Sequence, residues 1–205
     1  MWLYEHASND FSPQMRRRMI PRFLHASGDR GYVLLVPSAL ATSPLRLFSI
    51  VGDAGGLVLF YLVIGRIGDL HIPPPVAPAR TDELWQHTCF EAFVRTSSGP
   101  GYYEFNFAPS TQWAAYWFDS YRSGMRVATE IGAPRIEVQS SRACYRLQAG
   151  LEMDQMSSLR IDGKWRIGLA AVIEETSDHK SYWALAHPPG KADFHQSESF
   201  VLEFS

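Results

Sequence analysis

Only two cysteines occur in 205 residues, Cys89 and Cys144; they fit no CxxC pattern, and a disulfide between them is not indicated. Each sits inside an apolar, strand-like run, where a free thiol serves as a small hydrophobe. Long hydrophobic runs are missing as well. The longest, GLVLFYLVIG at residues 56–65, is about half of the ~20 residues a membrane-spanning helix requires, so it reads as a buried strand of a soluble protein with no membrane partner. Basic charge is not in excess. The formal net charge is -2, which argues against holding a nucleic-acid backbone. The one basic stretch, MRRRMIPRF at residues 15–23, reads as a solvated charge run. The polar HASGDR separates it from the apolar GYVLLVPSALA, an order that does not suit a secretion signal, so a cytoplasmic location is expected. The common catalytic signatures are also missing. There is no GxSxG elbow, no HExxH and no Walker loop, and GDAGG lacks the strand-turn-helix setting of a phosphate cradle.

What remains is an ordinary globular composition, 46% hydrophobic and 20% charged, of a size that suits one domain. Residues 1–32 show no clear periodicity and carry several turn-forming pairs, so they are expected to be an N-terminal extension outside a domain spanning 33–205. Beyond Leu45, short runs rich in Val, Ile, Phe, Tyr and Trp alternate with turn signals such as IPPPVAP, SSGPG, DGK and HPPGK. The runs predict ten strands, near 45–51, 57–65, 84–95, 102–108, 112–118, 135–139, 143–152, 165–174, 181–186 and 199–204. Helical spacing is confined to two brief segments, 120–126 and 154–160. The triple proline at 73–75 cannot donate ladder hydrogen bonds and must lie in a connection between strands. The class is therefore all-β, an antiparallel sandwich or barrel with short helical turns.

The densest chemistry lies in LWQHTCFEAFVRTSSGPGYYEFNFAP, residues 84–109, two strand-like halves around a Ser-Ser-Gly-Pro-Gly connection. Side chains alternate across a strand, and burying the more apolar rows together sets Phe90, Ala92 and Val94 beside Tyr103, Phe105 and Phe107. The opposite face then collects Trp85, His87, Glu91, Tyr102, Glu104 and Asn106. Flat aromatic surface beside carboxylate and amide groups suits a sugar ring, whose C–H face stacks while its hydroxyls find acceptors and donors. Plain cross-strand packing, with Glu91 in a network with Arg95 or His87, accounts for the same residues. Farther along, TQWAAYWFDSYR places Trp113 and Trp117 on one face and Tyr116 and Phe118 on the other; one pair belongs to the core and the other extends a platform.

The runs LWQHTCFEAFV, YYEFNFAPSTQWAAYWFDSYRSGM, PRIEVQ, GLAAVIEE, SYWALAHPPGKADFH and SFVLEF together resemble the bacterial DOMON-like domain proteins, relatives of the family 9 carbohydrate-binding modules. The likeness runs from about residue 33 to the C-terminus. It implies an immunoglobulin-like β-sandwich that binds a small ligand, sugar in the carbohydrate-binding modules and haem in some DOMON cytochrome domains. By that analogy the stacking aromatics are drawn from Trp85, Trp113, Trp117 and Trp183. Haem would need an axial pair, for which Met125 and His195 are the candidates.

HPPGKADFHQ, residues 187–196, brackets a rigid turn with His187 and His195 and adds Asp193, two nitrogens and an oxygen in the manner of a zinc shell. The spacing matches no established zinc signature and no fourth ligand is nearby, so hydrogen-bonded turn histidines are the expectation. Glu91 and Glu104 could also be drawn as a glycosidase pair, although two carboxylates alone are weak evidence. The resulting expectation is a small-ligand binder, of carbohydrate or a sugar derivative, that performs no reaction and needs no cofactor. Haem binding stands as the first alternative and a metal-binding or glycoside-processing protein as the second, and the oligomeric state is left open.

Overall fold

The structure is a computed structural model that describes residues 33–38, 46–53, 57–96, 99–156 and 165–204. The expected extension at 1–32 and its basic run lie outside the described residues. Twelve strands are described: β1 (Val33–Pro37), β2 (Arg46–Asp53), β3 (Leu57–Ile64), β4 (Cys89–Thr96), β5 (Tyr102–Phe107), β6 (Trp113–Phe118), β7 (Arg126–Val127), β8 (Arg135–Ser140), β9 (Cys144–Leu151), β10 (Trp165–Glu174), β11 (Lys180–Ala184) and β12 (Leu202–Phe204). Helical structure among the described residues is limited to single 3₁₀ turns, and no helix there is long and apolar enough to cross a membrane.

Every strand pairing is antiparallel. A smaller sheet runs β8-β9-β3-β2-β1, and a larger one β7-β6-β5-β4-β10-β11-β1, with β12 on the side of β10 that also carries β11. β1 serves both. Residues 33–35 pair with β2, and Val36 and Pro37 pair with β11, so one short strand stitches the two sheets at an edge.

The sheets face each other across one core. Leu57, Leu59, Tyr61 and Val63 of β3 and Tyr145, Leu147 and Ala149 of β9 meet Phe90, Phe105, Phe107, Leu169 and Ala171 of the larger sheet. Phe90 stacks on Tyr145 with centroids 5.9 Å apart, and the Tyr61 hydroxyl donates across the sandwich to the carbonyl of Glu91 at 2.8 Å. This is the expected β-sandwich. The hairpin register is the one that apolar matching predicts, Phe90 opposite Phe107, Ala92 opposite Phe105 and Val94 opposite Tyr103.

Local expectations fare differently. The run at 84–95 is not one strand: Glu83 adopts a left-handed backbone (φ 61°), Leu84–Gln86 forms a 3₁₀ turn, and β4 starts at Cys89. The segment 120–126 is a tight turn rather than a helix, because Arg122 and Gly124 both have positive φ and Ser120 and Ser123 bond each other's backbones. Of the segment 154–160, the described part holds only the 3₁₀ turn Met153–Gln155. β1 and β7 are additional strands, too short to show a pattern in the sequence. The prolines at 73–75 do lie in the connection between β3 and β4.

Candidate functional site

The outward row of the larger sheet carries Cys89, Glu91 and Phe93 on β4, Tyr102, Glu104 and Asn106 on β5, Tyr116 and Phe118 on β6, and Gly168, Ala170 and Val172 on β10. Glu91 and Glu104 thus share one face, but that face is not open. A second apolar cluster forms on it, in which Phe194 and Phe200 from the C-terminal segment pack against Phe93, Tyr102, Phe118 and Ala170. Small outward residues on β10 admit this segment. A Cβ at Gly168 would stand only 3.0 Å from the Ser199 carbonyl oxygen, so the backbone passes directly above it.

Polar latches hold the segment down. The Asp193 carboxylate accepts hydrogen bonds from Arg122 (2.9 Å) and from the Tyr121 hydroxyl, and these donors outweigh its burial and hold its pKa near about 2. The Tyr102 hydroxyl accepts the Arg122 backbone N–H at 3.3 Å, which leaves its own proton to donate to His195 Nδ1 at 2.8 Å. The remaining ring nitrogen, Nε2, then carries the proton and faces Glu104 Oε2 at 3.6 Å.

Beneath this segment lies the acid pair. Glu91, Glu104 and Asn106 are all buried. Asn106 donates to Glu104 at 2.8 Å and accepts the Cys89 thiol at 3.6 Å. Burial pushes Glu104 up to about 7, against the pull of the Asn106 bond and the Arg122 charge. Burial and the neighbouring Glu104 charge push Glu91 well above the carboxylate range, and burial drives His195 down to about 4. Glu104 and His195 stand 3.6 Å apart, and because burial raises the pKa of the acid and lowers that of the imidazole, they form a pair of neutral groups rather than an ion pair over the weakly acidic range.

Glu104 keeps 8% of its side-chain surface exposed and His195 keeps 13%, so a small part of each still meets solvent. An open depression of about 430 Å³, walled by Tyr102, Tyr121, His195 and Phe200, ends at the same histidine. On the opposite flank stands Trp85, carried by the 3₁₀ turn. Its indole is 37% exposed and meets Tyr116, the cross-strand neighbour of Glu104, edge-on at 6.0 Å.

The other named residues go elsewhere. Trp113 and Trp183 point into the core between the sheets, Trp113 beneath the Arg80 guanidinium at 4.2 Å and Trp183 donating to Ser181. Trp117 lies half-buried at the rim of that core and donates to Asp119. His187 sits against Phe194, Asp193 is taken by Arg122 and Tyr121, and His195 turns to Tyr102 and Glu104, so these three do not converge on one point. Met125 is exposed in the turn before β7. His87 leaves the acid pair and bonds Glu174 Oε2 at 2.7 Å, where His71 joins it at 3.2 Å. Sequence reasoning missed His71 and Glu174. Carrying the β4–β10 register past Cys89 opposite Val172 sets residue 87 beside residue 174, a signal available only once that long-range pairing is known.

No family model and no curated protein matches the chain. Solved structures do. A Bacteroides uniformis protein provisionally described as carbohydrate-binding superposes with a TM-score of 0.64 at 13% identity, over 83% of this chain and 84% of that one. A family 9 carbohydrate-binding module from Caldicellulosiruptor kristjanssonii in complex with glucose gives 0.52 at 12% identity over 90% of both chains. The same kind of module from that organism in complex with cellotriose gives 0.50 at 12% identity, over 85% of this chain and 80% of that one. The chain shares the fold of family 9 carbohydrate-binding modules. At these identities the likeness speaks for the fold.

Proposed function

We propose that the chain is a DOMON-like relative of the family 9 modules that binds a carbohydrate, without transforming it, at the Trp85 flank of the outward face of its larger sheet. The observation that carries this reading is the partly exposed indole of Trp85 standing beside a sheet face that gathers carboxyl, amide and imidazole groups. The indole offers a flat apolar surface to the C–H face of a sugar ring. Glu104, positioned by Asn106, supplies a carboxyl group that can accept or donate to a hydroxyl, since its pKa near about 7 gives it both forms at neutral pH. The solved neighbours with glucose and cellotriose lend the sugar class to this reading.

Titration with a sugar panel that includes glucose and cellotriose, followed by tryptophan fluorescence and calorimetry, tests it. Saturable binding is expected, weakened by roughly tenfold or more in Trp85→Ala and in Glu104→Gln, and unchanged in Tyr121→Ala on the opposite flank. A folded protein that shows no saturable change with any sugar, or an affinity left unchanged by Trp85→Ala, removes the proposal.

A further inference from the structure

His71, His87 and Glu174 come from three separate stretches of chain, and their ligand-type atoms all lie within 4.8 Å of one another. Glu174 Oε2 is the common point, 3.2 Å from His71 Nδ1 and 2.7 Å from His87 Nδ1. A tetrahedral ion with bonds of about 2.0–2.1 Å spaces its ligands by roughly 3.3 Å, so shifts of about an ångström complete the shell.

The backbones behind these side chains are fixed without any ion. The His71 N–H donates to the Glu174 carbonyl at 2.8 Å, and the buried Thr88 hydroxyl ties the same two residues together by donating to the His71 carbonyl (2.8 Å) and accepting the Glu174 N–H (3.1 Å). His87 is the neighbour of Thr88 in sequence, so all three ligands hang on one hydrogen-bonded knot. Lys180, opposite Glu174 on β11, holds the second carboxylate oxygen at 3.5 Å and leaves Oε2 to face the imidazoles.

We propose that His71, His87 and Glu174 bind one divalent transition-metal ion of the zinc class, as a staple between the β3–β4 connection and the end of β10. Two imidazole nitrogens and one carboxylate oxygen with a solvent-facing fourth position suit zinc; calcium and magnesium prefer shells made of oxygen alone. The imidazole side chains are 58% and 64% exposed while Glu174 is 6% exposed, so an ion has an open approach to an anchored carboxylate. Each imidazole Nδ1 now donates to Glu174 Oε2; on binding it gives that proton up to solvent and coordinates the ion, and the neutral ring carries its remaining proton on the solvent-facing Nε2. The site shares no ligand with the proposed sugar contacts and stands or falls separately from them.

Calorimetric titration of zinc chloride into the chelator-treated full chain tests the assignment. One ion per chain is expected, with affinity lowered by roughly tenfold or more in His71→Ala and in His87→Ala and unchanged in His179→Ala. Zinc is also expected to raise the melting temperature of the wild type and not that of the His71→Ala/His87→Ala double variant, whose fold circular dichroism verifies. Absence of saturable zinc binding, or binding that persists in the double variant, overturns the proposal.

Discussion

β3 and β5 lie in opposite sheets and bury residues in the same core, and their burial runs opposite to their composition. LVLFYLVI in β3 is apolar at every position, yet only alternate residues are buried, and Val58, Phe60, Leu62 and Ile64 face outward half-covered. YYEFNF in β5 includes a glutamate and an asparagine, and all six residues are buried. The difference lies in what crosses the outer face of each sheet. The larger sheet carries the 193–200 segment, anchored by Phe194, Phe200 and the latches at Asp193 and His195. Hydropathy alone therefore misplaces the second core, and the polar row of β5 tolerates burial only because Glu104 and Asn106 satisfy each other and Glu91 is held in its uncharged form.

The contrast is broken most forcefully by truncating aromatics on each surface. Phe105→Ala, in the middle of the core, is expected to cost about 3–5 kcal/mol. Tyr102→Ala is expected to approach that loss, about 3 kcal/mol, because its ring stacks on Phe118 at 4.9 Å and meets Phe200 at 5.6 Å. Phe60→Ala, which loses the Arg146 guanidinium over its outward ring, is expected to cost roughly 1 kcal/mol. Urea unfolding followed by tryptophan fluorescence measures all three. A Tyr102 variant no worse than the Phe60 variant would mean that the C-terminal segment does not form a second core.

The hairpin parity was readable because its two apolar rows differ sharply from their partners, so only one register buries Phe90 and Phe105 together. The fate of the polar row was not readable. HPPGKADFHQSESF has no periodicity, and its ability to lie on the sheet depends on Gly168 and Ala170, contributed by a strand far from it in pairing order. Trp113 and Trp183 were ambiguous for a related reason. Parity assigns each to a face but cannot say which face meets the other sheet; their inward direction follows from the registers with β5 and β10. Trp85 and His87 left the strand row because the left-handed Glu83 and its 3₁₀ turn are set by contacts with Tyr116 and Glu174, both long-range.

The buried row can be probed next through its protons. Glu104 titrates near about 7 in the folded chain against an ordinary 4.5, so the folded state holds a proton that the unfolded state has released; the stability this contributes is present at low pH and is lost as pH rises through that window. His195 works in the other direction. Its pKa near about 4 lies below an ordinary 6.5, so its contribution is present above 6.5 and is lost as pH falls toward 4. Between 4.5 and 6.5 the two offset each other, since the folded pair keeps its single proton on Glu104 and the unfolded chain keeps one on the histidine. His195→Phe should therefore show stability falling with pH across this range, and Glu104→Gln should show a slope more positive by up to about 2.7 kcal/mol per pH unit. Equal slopes in the two variants would show that the pair is not buried as described.

The smallest expected stability effect is the most informative about function. Trp85 is 37% exposed, and among the described residues its ring meets Tyr116 edge-on, so Trp85→Ala should cost less than about 1 kcal/mol. Trp113→Ala removes a core indole beneath Arg80 and should cost about 3–5 kcal/mol. The two indoles thus separate folding from recognition. On the proposed reading, Trp85→Ala leaves the unfolding midpoint nearly in place while abolishing the sugar-dependent fluorescence change. Trp113→Ala, studied well below its lowered midpoint, keeps that change. If both variants lost the signal in proportion to their stability, the response would report on the fold as a whole, and the Trp85 flank would have no special claim to the ligand.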